Sequence, residues 1–298
     1  MISICIPVYN FYIYKLVDEL SEQGHKSGVP FEIVIIDDGS AVEYREQNSE
    51  ICKSHKYIEL GRNVGRSKIR NLFAGYSKYE NLLFVDCDSE IISDKFIKNY
   101  ITELQYIRSQ VICGGTIYTK NPPPVKMRLR WIYGIKRESL PASVREESPF
   151  RYFMTNNFLI NRKVMEVVKF DERLVSYGYE DTLFAYKLMQ CGFLVKHTDN
   201  PVLHSCGESN PGFLRKTEQS IINLGNIVHY TGHDENFIQT IRILRVSSRI
   251  EKLHLSDIFG FFFSIVKPYI RLLLERGSTR LFFLDIYKLG LLILFNRK

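Results

Sequence analysis

Apolar and polar positions along the first half of the chain fall into two alternating registers. Ile2–Val8, Phe31–Ile36, Tyr57–Leu60, Leu82–Val85 and Val111–Cys113 are short, nearly continuous apolar runs that read as buried strands. Between them the spacing turns helical. Tyr14–Gln23 carries Leu16, Val17 and Leu20 on one face, Val64–Tyr76 is helical, and Asp94–Ile107 points Phe96, Ile97, Ile101 and Leu104 inward. Strands that are apolar on both faces, alternating with helices, predict an α/β fold. Its mostly parallel sheet is covered by helices on both faces.

From Tyr118 to Phe153 the periodicity lapses. Pro122-Pro123-Pro124 and the basic run Lys126–Trp131 predict a long loop there. Order returns with a strand at Phe158–Ile160, a short helix at Lys163–Val168, a helix at Thr182–Gln190, and extended pieces at Leu194–Lys196 and Val202–His204. After Gly212 the chain is helical. We therefore divide it into residues 1–211, in two halves 1–115 and 116–211, and a helical, basic and aromatic region 212–298.

Charge changes the picture in that last region. Residues 257–298 hold seven Lys/Arg against three acids, which is more than half of the chain's net +7. A basic surplus calls for an anionic partner: nucleic acid, anionic lipid or a diphosphate. The Phe261–Phe263 and Leu291–Phe295 runs are too apolar for a free tail, so they either pack on the body or lie in a membrane interface. No stretch reaches the roughly 20 apolar residues of a spanning helix, and the N-terminus lacks the basic and apolar regions of a signal peptide. The six cysteines (Cys5, Cys52, Cys87, Cys113, Cys191, Cys206) form no CxxC pair, which predicts buried free thiols in a reducing cytosol.

Polar residues gather where the strands end: Tyr9-Asn10, Asp37-Asp38 and Asp86-Cys87-Asp88. In parallel sheets ligands bind beyond the carboxyl ends of the strands. Two carboxylates at i and i+2 after a buried strand can share a divalent cation that bridges a diphosphate.

These residues also form an ordered series: Ile-Pro-Val-Tyr-Asn (Ile6 to Asn10), Ile-Asp-Asp-Gly-Ser (Ile36 to Ser40), Asn63-Val-Gly with Arg70-Asn71, Asp86-x-Asp88, Asn157-Phe-Leu-Ile, Phe170-Asp171-Glu172 and Gly178-Tyr-Glu180-Asp181. In this order the chain resembles the family 2 glycosyltransferases of the GT-A fold, from Ile2 to about His204. The resemblance implies an inverting, metal-dependent transfer of a single sugar from a nucleotide-sugar donor, UDP-sugar by preference, to a hydroxyl. It places Pro7 and Tyr9 beside the base, Asp38 as acceptor from the base, and Arg70, Asp86, Cys87 and Asn157 along the nucleotide-sugar. It makes Asp181 the general base with Glu180 as its neighbour on the acceptor side, and Asp88 with His204 the ligands of Mn²⁺ or Mg²⁺; His197 is the competing imidazole.

Two departures shape the expectation. The Q-x-x-R-W motif and membrane spans of processive synthases are missing, which points to single-sugar transfer, and Leu183 stands where many relatives carry a further acid. The expected acceptor is a glycan or lipid-linked glycan of the cell envelope. The expected location is cytoplasmic, peripheral on the inner face of the membrane through the C-terminal region, with no nucleic-acid partner. The alternatives are a sugar-phosphate nucleotidyltransferase, disfavoured because no Gly-rich basic loop lies near the N-terminus, and a non-catalytic membrane-surface protein, disfavoured by intact Asp86, Asp88 and Asp181.

Overall fold

In a computed structural model that describes residues 1–106, 110–205 and 207–297, the chain runs as follows. The first part is β1 (Ile2–Val8), α1 (Tyr14–Lys26), β2 (Phe31–Asp37), α2 (Val42–Ile51), β3 (Lys56–Glu59), α3 (Arg66–Tyr76), β4 (Asn81–Val85), β5 (Ser89–Ile91), α4 (Phe96–Tyr106), β6 (Val111–Cys113) and β7 (Thr116–Ile117). Next come α5 (Arg128–Arg137), α6 (Ala142–Glu146), β8 (Asn157–Asn161), α7 (Arg162–Val167), α8 (Glu180–Gln190), β9 (Val195–His197) and β10 (Val202–His204). Five helices close the chain: α9 (Asn210–Tyr230), α10 (Glu235–Thr240), α11 (Arg242–Lys252), α12 (Ser256–Glu275) and α13 (Leu281–Asn296). The expected end of α4 at Ile107 and the thiol of Cys206 lie outside the described residues.

The chain divides into two compact units. The first comprises Met1–Thr119, Glu138–Val175 and Glu180–Ser205. It holds a seven-stranded sheet in the order β3-β2-β1-β4-β8-β6-β9. All neighbours are parallel except β8, which runs antiparallel to β4 and β6. Alternate residues of each strand feed opposite faces. Cys5, Val34, Leu82 and Phe158 enter one core with Ile69 and Phe73 of α3, whereas Ile4, Ile33, Leu83 and Leu159 enter the other with Leu16 and Leu20 of α1. Both faces are therefore covered, as the unbroken apolar runs predict.

A second, three-stranded sheet, β5-β10-β7, was not predicted. Its strands are too short to show a period, yet the β10–β5 pairing sets His204 opposite Ser89 and so decides the site geometry.

The second unit comprises Lys120–Arg137, Ser176–Tyr179 and Cys206–Lys298. Its core gathers Leu129, Phe213, Phe263, Leu274, Leu284 and Tyr287. The long loop predicted over Tyr118–Phe153 is corrected here, since the stretch contains α5 and α6. In α5 the buried apolar residues are Leu129 and Ile132 at i and i+3, with Trp131 and Tyr133 packed partly buried against the same core. The helix is tied down by Asn210, whose Oδ1 accepts from the Leu129 N–H at 2.9 Å. Buried Arg130 disguised that face in the sequence. In α6 the buried group is again an arginine. Arg145 is 3% exposed and donates to the carbonyls of Cys113, Gly114, Leu140 and Thr198, so its charge is spread over backbone dipoles.

Among the described residues the cysteines are free thiols, with Cys5, Cys52 and Cys113 buried, Cys87 half-buried and Cys191, against expectation, exposed. No helix among the described residues is long and apolar enough to cross a membrane.

Candidate active site

The carboxyl ends of β1 and β2 are locked together before any ligand is considered. Asp37 is buried and accepts from the Ser40 N–H at 2.7 Å and the Tyr57 hydroxyl at 3.1 Å. Asp38 accepts from the Val64 N–H at 2.7 Å and the Gly65 N–H at 3.2 Å, fixing the Asn63-Val-Gly turn that starts α3. Burial pushes the Asp38 carboxyl above its usual range, and the two backbone donors oppose that shift. Gly39 between them has φ +72°, and a Cβ there would stand 2.6 Å from the Arg62 backbone, so only glycine fits. Asn10 clamps the same edge, taking the Ala41 N–H at 2.8 Å while its own N–H donates to Ser40 Oγ. Beside this scaffold Pro7 is half-buried and Tyr9 is exposed, leaving an aromatic ring open to a planar ligand.

β4 ends at Val85, and the two acids that follow have different surroundings. Asp86 accepts from Arg70 Nη2 at 2.8 Å. Arg70 is only 2% exposed, so the pair is a scaffold element rather than an open cation. Arg70, expected along the nucleotide, is engaged with Asp86 and holds that carboxylate in place. The Cys87 thiol is packed against the end of β1, where it accepts from the Tyr9 N–H, and burial pushes it up to about 12. It is an uncharged packing group in this arrangement.

Asp88 is open to solvent, and its Oδ2 lies 3.8 Å from His204 Nε2. His204 is stacked on Tyr118 with ring centroids 5.5 Å apart, which orients the imidazole. Two donors that each stand ~2.1 Å from one ion are about 3 to 4 Å apart, so this pair fits a shared divalent cation. Among the described residues no third His, Cys, Asp or Glu joins them. The remaining positions of an ion would go to oxygens of a diphosphate and to water, the habit of Mg²⁺ and Mn²⁺.

The acidic pair at the start of α8 follows a strained turn. Gly178 has φ 106° and Tyr179 has φ 63°, a left-handed conformation rare for an aromatic residue. Glu180 is buried with Arg66 Nη1 3.5 Å from its Oε1. Asp181 accepts from the Thr182 N–H at 2.6 Å and the Thr182 hydroxyl at 3.2 Å. Even so, desolvation and then the neighbouring Glu180 charge raise its carboxyl to about 7, while Thr182 and Arg70 pull the other way. A carboxylate poised near neutrality is suited to taking a proton from a hydroxyl.

Arg66 and Arg70, one turn apart on α3, thus stand between the two acidic pairs. Arg70 binds Asp86 and bears on Asp181, and Arg66 binds Glu180 and bears on Cys87. Asp86, Asp181 and Glu180 are gathered around one helix face. Arg66, about half exposed, was missed in the sequence; its i, i+4 spacing to Arg70 was the available signal.

Other expected residues make hydrogen bonds within the fold. Asn157 is 1% exposed: it accepts from the Tyr100 hydroxyl at 2.6 Å and donates to the Gly115 and Asn200 carbonyls at 2.9 Å. These bonds tie β8 to α4, to Gly115 and to Asn200. Asn71 bonds the Phe170 backbone in both directions, tying α3 to the Phe170–Glu172 turn. His197, the rival imidazole, is buried against Arg145 at 2.6 Å and the Pro149 carbonyl at 2.9 Å, away from any carboxylate of the Asp86/Asp88 pair.

Residues 3–169, more than half of the chain, match the family described as Glycosyl transferase family 2. The chain belongs to this family. Among curated relatives of this family 2 member, the chondroitin synthase of Pasteurella multocida (strain Pm70) is 25% identical over 255 residues, 73% of this chain and 26% of that protein. The hyaluronan synthase of Pasteurella multocida is also 25% identical, over 73% of this chain and 25% of its own length. The chain spans about a quarter of the length of these two relatives.

Among solved structures, S. aureus TarS 1-349 in complex with UDP-GlcNAc aligns with a TM-score of 0.53 at 19% identity, covering 96% of this chain and 89% of that one. Glucosyl-3-phosphoglycerate synthase from Mycobacterium tuberculosis, in complex with Mn²⁺, UDP and glucosyl-3-phosphoglycerate, aligns with a TM-score of 0.53 at 14% identity, covering 75% and 78%. Another crystal of that synthase holds Mg²⁺ and UDP. At these identities the likeness is one of fold, the GT-A fold, and this family 2 member shares it.

Proposed function

We propose that this protein transfers a single sugar, with inversion, from a UDP-sugar to a hydroxyl of a glycan or lipid-linked glycan in cell-envelope synthesis, using Mn²⁺ or Mg²⁺. The observation that carries the reading is the pairing of Arg66 and Arg70 with the two acidic pairs, which gathers Asp86 and Asp181 around one face of α3. The UDP complexes of both fold neighbours support a uridine donor.

Tyr9 and Pro7 offer the base an apolar, aromatic wall. Asp38 keeps the Asn63-Val-Gly turn in shape and presents its remaining lone pairs to an imide N–H. Asp88 and His204 would hold the cation, which when bound neutralises charge on the diphosphate. Arg70 fixes Asp86, and Arg66 has the exposure to follow the leaving diphosphate as its charge grows. Asp181 removes the acceptor proton as the hydroxyl oxygen attacks the anomeric carbon; that C–O bond forms as the bond to the diphosphate breaks, and UDP departs. Glu180, held by Arg66, keeps the field around Asp181 negative and its proton affinity high. One displacement with one base inverts the anomeric centre. A location at the inner face of the membrane suits a lipid-linked acceptor and the basic C-terminal region.

A panel of nucleotide sugars, each with and without Mn²⁺, tests the reading by nucleotide release and by thermal shift. We expect Mn²⁺-dependent release and stabilisation confined to UDP-sugars. A panel with no metal-dependent response to any nucleotide sugar abolishes the assignment.

A further inference from the structure

The apolar runs that stood out in the sequence separate in the structure. Leu292 and Ile293 of α13 are buried in the second unit, so packing accounts for the Leu291–Phe295 run. The Phe261–Phe263 run does not pack as a whole: Phe263 is 2% exposed, while Phe261 and Phe262 are 63% and 61% exposed. They belong to a longer feature. Phe261, Phe262, Ile265, Val266, Tyr269 and Leu272 are all exposed large apolar side chains, and they recur at i, i+1, i+4, i+5, i+8 and i+11. That spacing is one face of α12, opposite the face that buries Phe263, Ile270 and Leu274. The 20-residue helix is ~30 Å long, and the stripe runs along most of it without a charged residue. A contiguous apolar face of that length on a folded protein marks an interaction surface.

The ends of the stripe say what covers it. Arg276 lies three and four residues beyond Leu273 and Leu272, so it continues the same line, and Arg280 follows. Both are exposed, and neither forms an ion pair with a described residue. The acids of α12 are already paired: Asp257 with Arg297 at 3.0 Å and Glu275 with Arg271 at 2.9 Å. The charge offered beside the stripe is therefore positive. A second copy would bring the same positive excess, whereas an anionic lipid surface brings the opposite sign along with an apolar layer.

We propose that the exposed face of α12 lies in the headgroup layer of an anionic bilayer, its Phe and Tyr rings at the acyl boundary and Arg276 and Arg280 on lipid phosphates. The inference names the surface for the membrane location suggested above, and it is independent of the donor and metal assignments.

The test is sedimentation of the full chain with vesicles of phosphatidylcholine alone or with one third phosphatidylglycerol, alongside its oligomeric state by analytical ultracentrifugation. We expect binding to the anionic vesicles at least tenfold tighter than to the neutral ones, weakening as salt rises. Phe261→Ser with Phe262→Ser should reduce that binding tenfold or more. Because both rings are exposed, the melting temperature and the Mn²⁺–UDP thermal shift should be unchanged. Arg276→Glu with Arg280→Glu should weaken anionic binding and flatten its salt dependence.

A chain that ignores anionic vesicles overturns the proposal, as does unchanged binding by the Phe261/Phe262 variant. So does a dimer that those two substitutions convert to monomer, which would assign the stripe to a second copy. Loss of vesicle binding with the UDP response intact separates this inference from the transferase reading.

Discussion

Arg70 donates to Asp86 across 2.8 Å from a position only 2% exposed, and the same guanidinium lowers the proton affinity of Asp181. One buried cation therefore sets two acids. Asp86 is oriented at the end of β4, and Asp181 is restrained from a still higher pKa. Arg66, one turn earlier, makes the matching contact with Glu180 at 3.5 Å from a position open to solvent. The two arginines differ in setting: Arg70 is buried in the frame, and Arg66 is about half exposed in its pair with Glu180.

This division is testable. Removing Arg70 leaves Asp86 charged and poorly compensated, a loss worth about 3 kcal/mol when one partner of a largely buried pair is deleted. Arg70→Ala is expected to lower stability in urea unfolding by about that much, and Arg70→Ala with Asp86→Asn to recover part of it. Arg66→Ala removes a half-exposed ion pair worth ~0.5 kcal/mol, so unfolding should scarcely change while UDP affinity falls several-fold. Equal effects of the two substitutions on stability would refute the distinction.

Asp88 and His204 stand 3.8 Å apart, and among the described residues no third His, Cys, Asp or Glu joins them, so under the proposed function an ion would be held jointly by this pair and the diphosphate. Metal and nucleotide binding should then be cooperative. Titration calorimetry is expected to show Mn²⁺ binding weakly alone and at least tenfold more tightly with UDP. Asp88→Ala and His204→Ala should each erase the enhancement with little change in melting temperature, since both side chains are at least partly exposed. Tight Mn²⁺ binding without UDP would mean another site.

Gly39 has φ +72°, and a Cβ added there would meet the Arg62–Asn63 backbone at 2.6 to 2.7 Å. Gly39→Ala must move that backbone, and with it the Val64 and Gly65 donors to Asp38. A loss of about 2 to 4 kcal/mol is expected in chemical unfolding, in the range of strain and broken buried hydrogen bonds. UDP affinity should drop as well. A variant as stable as wild type would show that the turn has slack.

The parts that could be read from sequence are those where a local pattern has a single physical solution. Apolar runs such as Ile2–Val8 and Leu82–Val85 read as buried strands, and the polar residues after them gather at one sheet edge. What escaped depends on long-range pairing. β5 and β7 are too short for a period, so the register that sets His204 beside Asp88 was invisible, although both residues were singled out by resemblance. α5 and α6 bury Arg130 and Arg145, and an arginine reads as exposed in a sequence. Asn157 was read as a ligand contact because it stands in a motif. The motif position is explained equally well by its bonds to Tyr100, Gly115 and Asn200, which hold the sheet together. The exposed apolar face of α12 was half visible: the composition marked the region, and only packing told which of its apolar residues were left outside.

The raised pKa of Asp181 makes two predictions with opposite signs. For catalysis the working form is the carboxylate, so kcat/KM should climb about tenfold per pH unit up to about 7 and then level. Thr182 lowers that pKa through its hydroxyl at 3.2 Å, so Thr182→Val should move the bend toward alkaline pH. Asp181→Asn should cut transfer by roughly 10² to 10⁴, the scale of a general base, while leaving Mn²⁺–UDP binding in place.

For stability the direction reverses. An aspartate has a pKa of ~3.9 in the unfolded chain, so between about 4 and 7 the folded protein holds a proton that the unfolded one has lost. Stability from this group is full below that window and falls as pH rises through it. Asp181→Asn keeps an acceptor for the Thr182 N–H and carries no charge. It should therefore be more stable than wild type at pH 8, on the order of 2 kcal/mol after allowance for partial solvent exposure, with the advantage shrinking toward pH 5. Melting curves of the two proteins at both values decide it. An advantage that is constant with pH, or greatest at pH 5, would show that Asp181 is an ordinary surface acid and remove it as the base.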